Sequence, residues 1–114
     1  MHQKFILASS SKSRYKILKN AGLNFTQKKP NCNEEDIKKT INRKTKPEIF
    51  AKKLSYEKAR SVSIKKLYAN KIVLGCDTVI YHNGKILDKV NSIEKAKKEI
   101  RSLSGKTHLI VSGL

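Results

Sequence analysis

The sequence predicts an α/β fold, a mixed β-sheet flanked by helices. Three observations carry this expectation. Short apolar runs alternate with stretches of helical periodicity, the pattern of strands joined by crossover helices. Asn83-Gly84 separates two further apolar runs, and a type I′ turn needs positive φ at both central positions, so an antiparallel hairpin joins the parallel pairs. Hydrophobic residues make up 38% of 114 positions, enough for one modest core.

The elements follow in chain order. "KFILAS" reads as a short buried strand. The serine cluster Ser9 to Ser13 opens a helix in which Tyr15, Leu18 and Ala21 recur at three-residue steps beside Ile17. Gly22 stands where a left-handed residue would stop it. "LNFTQ" is the next strand. From Lys28 to Lys46 the chain is polar, punctuated by Pro30 and Pro47, with "EEDIKKTI" as a short helix. A longer helix runs from about Pro47, suited to a first turn, to about Leu67. Phe50, Leu54 and Val62 share one stripe of it, and Lys58 falls on that stripe. "KIVLG" and "TVIYHNGKIL" supply three strands. Ser92 then caps a last helix carrying Ile93, Ala96, Ile100 and Leu103, ended by Gly105, and "HLIVSGL" is the final strand. An apolar strand with no covering element after Leu114 leads us to expect that further protein follows.

The charge is the most extreme property. Lys and Arg number 26 against 9 acids, a formal net charge of +17. Such a field attracts polyanions: nucleic acid, anionic membrane or nucleotide phosphates. Only Arg14, Arg43, Arg60 and Arg101 are arginines, and lysines in this number ordinarily solvate helix faces. A basic nucleic-acid-binding protein is one reading. Against it, the four Tyr and three Phe are not interleaved with basic residues as base-stacking surfaces require. Cys32 and Cys76 form no C-x-x-C pair and no Cys/His cluster of zinc spacing. Two unpaired thiols fit a reducing cytosol, and no apolar run reaches the ~20 residues of a membrane helix. A soluble cytoplasmic protein is the expectation.

Two places could carry chemistry, since ligands gather beyond the carboxyl ends of strands in α/β sheets. In "LASSSKSR", helix N-terminal amides, serine hydroxyls and Arg14 could cradle an anion. The segment lacks the glycines and G-K-[ST] ending of a P-loop, and a plain serine cap is its ordinary explanation. The second place is Asp77 in "KIVLGCDTVI". A lone ionised carboxylate out of water is costly, so Asp77 either caps its own turn or meets a cation. There it could hold a divalent metal or orient a water. Lys89 in "LDKV" could reach the same cleft or be surface charge. Lys58 could simply snorkel to water. His108 in the last strand reads as a structural histidine rather than a ligand.

Five blocks, "LASSSKSRYKIL", "LSYEKA", "GCDTVI", "GKILDK" and "LSGKTHLIVSG", occur in the order found in one family. The chain thus resembles the Maf family of septum-formation-inhibitor-like nucleoside triphosphate pyrophosphatases. The resemblance covers nearly all of this chain but not all of the family, whose members continue into a second lobe. It implies a Maf/ITPase-like fold lacking the C-terminal lobe, with residues 1–114 forming a single α/β domain. The implied reaction cuts ribo-, deoxyribo- or modified nucleoside triphosphates to the monophosphate and pyrophosphate with Mg²⁺ or Mn²⁺. A homodimer and cytoplasmic location are also implied.

Position by position, the resemblance makes Asp77 the proton acceptor. Ser9, Arg14, Lys58 and Lys89 become substrate-binding residues, Ser13 and Thr78 specificity residues, and Glu34 and Asp77 metal ligands. Glu35 is the alternative to Glu34. There are departures. Ser13 stands where pyrimidine-preferring members resemble an Arg version and a methylated-guanine branch has Trp. Asn33 replaces a usual acid, and Val90 a proline. Without the second lobe, these residues alone are expected to be weakly active, or to bind nucleotide without turnover.

Overall fold

The computed structural model describes residues 4–42, 44–87 and 89–114. Arg43, and Asp88 of the "GKILDK" block, lie outside the described residues. The strands are β1 (Phe5–Ala8), β2 (Phe25–Lys28), β3 (Val73–Gly75), β4 (Asp77–His82), β5 (Lys85–Leu87) and β6 (Leu109–Gly113). The helices are α1 (Lys12–Asn20), α2 (Glu34–Thr40), α3 (Pro47–Ser63) and α4 (Ile93–Leu103), with a 3₁₀ turn at Lys66–Tyr68. Among the described residues no helix is long and apolar enough to cross a membrane.

The α/β class holds, with its two kinds of pairing placed in separate sheets. One is parallel, in the order β2-β1-β3, with Ile6 paired to Thr26 on one side and Val73 on the other. The other is antiparallel, in the order β5-β4-β6. Cys76 alone separates β3 from β4, so the chain steps directly from one sheet into the other. Asp77 is the first residue after that step, beyond the carboxyl end of β3.

Local signals formed as their chemistry requires. Ser11 Oγ accepts from Arg14 N at 3.2 Å and caps α1. At the other end Gly22, at φ 79°, allows Gly22 N to donate to Lys19 O and Leu23 N to Leu18 O, a Schellman closure. Asn83 and Gly84 have φ of 54° and 76°, as the hairpin turn demands.

One expectation needs correction. The third helix ends at Ser63, not Leu67. Ser61 and Ser63 donate to the carbonyls of Lys58 and Arg60, and Lys65 N tightens onto Val62 O, so the last turn closes early. The apolar stripe of α4 is not core: no residue of this helix is buried, and Ile93 and Ile100 are 76% and 66% exposed.

Helix α3 is shared by both halves of the core. Phe50, Ala51 and Leu54 pack with Ile41, Val79 and Ile86, while Val62 packs with Ile6 and Ala8. The helix lies close enough that glycine is required where strands cross it. A Cβ at Gly75 would collide with Ser55 O and sit 2.9 Å from Ala59 N, and one at Gly113 would sit 2.6 Å from the Ala51 carbonyl carbon. Gly75→Ala is therefore expected to cost about 1–3 kcal/mol by overpacking. It should show as a lower urea midpoint with an unchanged slope; an unchanged midpoint would contradict this packing.

Candidate active site

The elements that open toward one end of the parallel sheet converge there. The β1–α1 turn brings Ser9, Ser10 and Ser11; the first turn of α1 brings Arg14; the β2–α2 loop brings Lys29, Pro30 and Cys32. With Glu34, Lys58 and Lys89 these residues line a cavity of about 280 Å³. A second hollow of about 390 Å³ is bordered by Asp77 and Lys89 and walled by Phe50, Val79, Ile86 and Leu87. Lys89 borders both, and the Lys58–Asp77 contact lies between the polar hollow and the apolar one.

The aspartate in the apolar run meets a cation. Lys58 Nζ lies 2.9 Å from Asp77 Oδ1 and 2.9 Å from Glu34 Oε1. The Lys58 and Asp77 side chains are only 7% and 6% exposed, so Lys58 does not snorkel. Lys89 Nζ, at 74% side-chain exposure, reaches Glu34 Oε2 at 3.3 Å. Burial disfavours the charged form of Lys58, but its hydrogen bonds to Asp77 and Glu34 and their negative charge outweigh it, raising its pKa above the ordinary lysine value. Burial likewise pushes the Glu34 carboxyl up, yet the hydrogen bonds and charge of Lys58 and Lys89 prevail and hold it low. Ser61 secures the arrangement: its hydroxyl donates to Lys58 O at 2.7 Å and accepts from Asn31 N at 3.0 Å, tying the β2–α2 loop to α3.

Arg14 does more than face the cavity. Its Nη1 donates to Cys76 O and its Nη2 to Thr78 Oγ1, both at 3.1 Å, so the guanidinium straps the step between the two sheets. Thr78 Oγ1 also lies 2.8 Å from Ser112 Oγ on β6. Ser9 is buried, and its Oγ accepts from Ser11 N at 3.1 Å, rigidifying the turn.

Of the residues singled out from sequence, the structure gathers Ser9, Arg14, Glu34, Lys58, Asp77 and Lys89. Glu34, not the exposed Glu35, turns toward the lysines. Ser13 is exposed on α1 and does not line the cavity. Thr78 is exposed, accepts one end of the Arg14 strap and borders the apolar hollow next to Asp77. Asn33 serves α2 instead: its Oδ1 accepts from Asp36 N at 3.2 Å as the N-cap. His108 is exposed and outside both hollows, so the expected structural role is not seen. Val90 borders the apolar hollow. Sequence reasoning missed Lys29, Cys32, Ser61 and Ser112. Ser61 had a signal, lying one helical turn beyond Lys58; Ser112 had none, since only strand register sets it opposite Thr78.

Among the described residues no group of three or more His, Cys, Asp and Glu could hold a metal. The donor set is two carboxylates, Glu34 and Asp77, facing one another across an ammonium. Two carboxylates could hold a hard cation that completes its coordination with waters or the oxygens of a bound ligand, not one caged by protein alone.

A family profile described as Maf-like protein matches residues 4–114. A nucleoside triphosphate pyrophosphatase of Pelagibacter ubique is 36% identical over 115 residues, covering 100% of this chain and 58% of its own length. A dTTP/UTP pyrophosphatase of Thermotoga maritima is 36% identical over 111 residues, covering 97% of this chain and 51% of its own. A 7-methyl-GTP pyrophosphatase of Bartonella henselae is 38% identical over 109 residues, covering 96% and 54%. The chain spans about half the length of the curated relatives it matches.

Removing the central cation leaves two carboxylates facing each other, so Lys58→Met is expected to lose about 3–5 kcal/mol. Glu34→Gln is expected to lose about 1–2 kcal/mol at neutral pH. Because the folded-state pKa of Glu34 is lowered, its contribution is complete above the ordinary glutamate range. It fades as pH falls through the lowered value, where the wild-type carboxyl is protonated too. Urea melts across acid pH should show the gap between wild type and Glu34→Gln closing; a gap that persists through acid would contradict the pairing.

Proposed function

This chain belongs to the Maf-like protein family, and on that premise we propose that it carries the substrate-binding and catalytic groups of a nucleoside triphosphate pyrophosphatase. Residues 1–114 are, on this reading, the N-terminal portion of the catalytic unit. The observation that carries it is the buried Lys58 ammonium joined to Asp77 and Glu34 beside a cavity that Arg14, Lys29 and Lys89 also line.

A triphosphate is strongly anionic, and Lys58, Lys89 and the free edge of the Arg14 guanidinium bind its phosphates through charge-assisted hydrogen bonds. Ser9 and the ordered turn after it hold the phosphate end in place. Phosphoryl chemistry asks little covalent work of the protein; positioning and charge stabilisation supply most of the rate. Asp77, fixed at the start of β4, accepts the proton of the attacking water. The water oxygen bonds to phosphorus, the anhydride bridge between the α and β phosphates breaks, and monophosphate and pyrophosphate leave. Glu34 and Asp77 are the residues that would hold Mg²⁺ or Mn²⁺, and such an ion, when bound, neutralises phosphate charge.

The reading is tested by pyrophosphate release from a panel of nucleoside triphosphates with Mg²⁺ or Mn²⁺. Asp77→Asn, its folding verified by thermal melting, is expected to lower turnover by about 10²- to 10³-fold. Turnover equal to wild type on every substrate would end the catalytic assignment. Turnover by residues 1–114 is expected to fall well below that of a full-length relative assayed in parallel, since the relatives continue beyond the matched half; equal turnover would refute that part.

A further inference from the structure

We infer that the Lys58 ammonium is the resident counter-ion of the Glu34–Asp77 pair, and that a divalent cation must displace it to reach both carboxylates. The inference rests on the metal-dependent reading above. Lys58 Nζ takes one oxygen from each carboxylate, at 2.9 Å in both cases. A divalent cation of the Mg²⁺ type binds carboxylate oxygens at about 2.0–2.1 Å, in the same space between the two groups. The Lys58–Asp77 contact is almost wholly buried, so little water screens an ammonium from an arriving ion of like charge. The two cations are competitors, not neighbours.

Lys89 does not decide the competition. It sits on the other Glu34 oxygen, at 3.3 Å, and is mostly in solvent. Lys58 is different because it is buried and holds an oxygen of both carboxylates, while also lining the polar cavity with Arg14 and Ser9. Its flexible stem allows the ammonium to exchange carboxylates for phosphate oxygens placed in that cavity, with α3 unmoved. A triphosphate thus gives Lys58 an alternative anion and frees the carboxylates. Cation and triphosphate bind cooperatively, each strengthening the other by the same factor. Without nucleotide the site takes divalent cations poorly.

The test is Mn²⁺ binding, read as protein-bound Mn²⁺ by water proton relaxation. In the absence of nucleotide, Lys58→Gln is expected to bind Mn²⁺ at least about tenfold more tightly than wild type, and Lys58→Arg no more tightly. Mn²⁺ should also raise the melting midpoint of Lys58→Gln more than that of wild type. Should Lys58→Gln fail to fold, wild type reports the same competition. Mg²⁺ with a non-hydrolysable triphosphate analogue is expected to shift the Lys58 ammonium resonance, which an equal concentration of Mg²⁺ alone leaves in place. Mn²⁺ that binds wild type with the analogue but binds folded Lys58→Gln no more tightly overturns this inference alone. An ammonium resonance that stays put with metal bound does the same. Mn²⁺ that never binds the protein, even with the analogue, removes the metal-dependent reading and this inference together.

Discussion

Burying an amine on the core face of a helix is unfavourable unless its charge finds partners, and burying a carboxylate in an apolar strand is no better. In this protein the two costs offset each other. Lys58 projects from α3 on the stripe that Phe50, Leu54 and Val62 occupy, and Asp77 follows a strand whose neighbours are apolar. Their 2.9 Å contact joins helix to strand, and Glu34 on α2 completes the set. Three segments distant in sequence are thereby fixed relative to one another by one ammonium.

The backbone around that contact is arranged to permit it. The chain passes from the parallel to the antiparallel sheet at Cys76, and Arg14 holds the step by bonding Cys76 O and Thr78 Oγ1. Gly75 lets α3 approach the strand just before the step. A side chain there would push α3 away and with it the Lys58 ammonium. Packing and the site's ion pairs therefore depend on the same few residues, which anchors the backbone on the site's inner side. Its outer side faces solvent: Lys89 is largely exposed, and the cavity opens between loops.

The large positive charge divides into two populations. Most lysines are exposed and spread over helices, strands and loops alike, as a solvated surface requires. A few turn inward or border the cavity, and there the sign has a local consequence, holding the Glu34 carboxyl low. Net charge alone would not separate these populations. Burial and partners do.

Caps, turns and the chain order of elements were determined by the sequence itself, because each rests on residues within a turn or two of one another. Ser11 and Gly22 bound α1, and Asn83-Gly84 makes the hairpin. The peculiarity of Asp77 was legible too, since a charge among apolar residues demands a partner. Which partner it found, the division into two sheets, the strap by Arg14 and the exposure of the α4 stripe were decided only by tertiary structure. The physical reason is range. Lys58 and Asp77 stand 19 residues apart, Arg14 and Cys76 stand 62, and no local propensity records which groups packing will bring within hydrogen-bonding distance of each other.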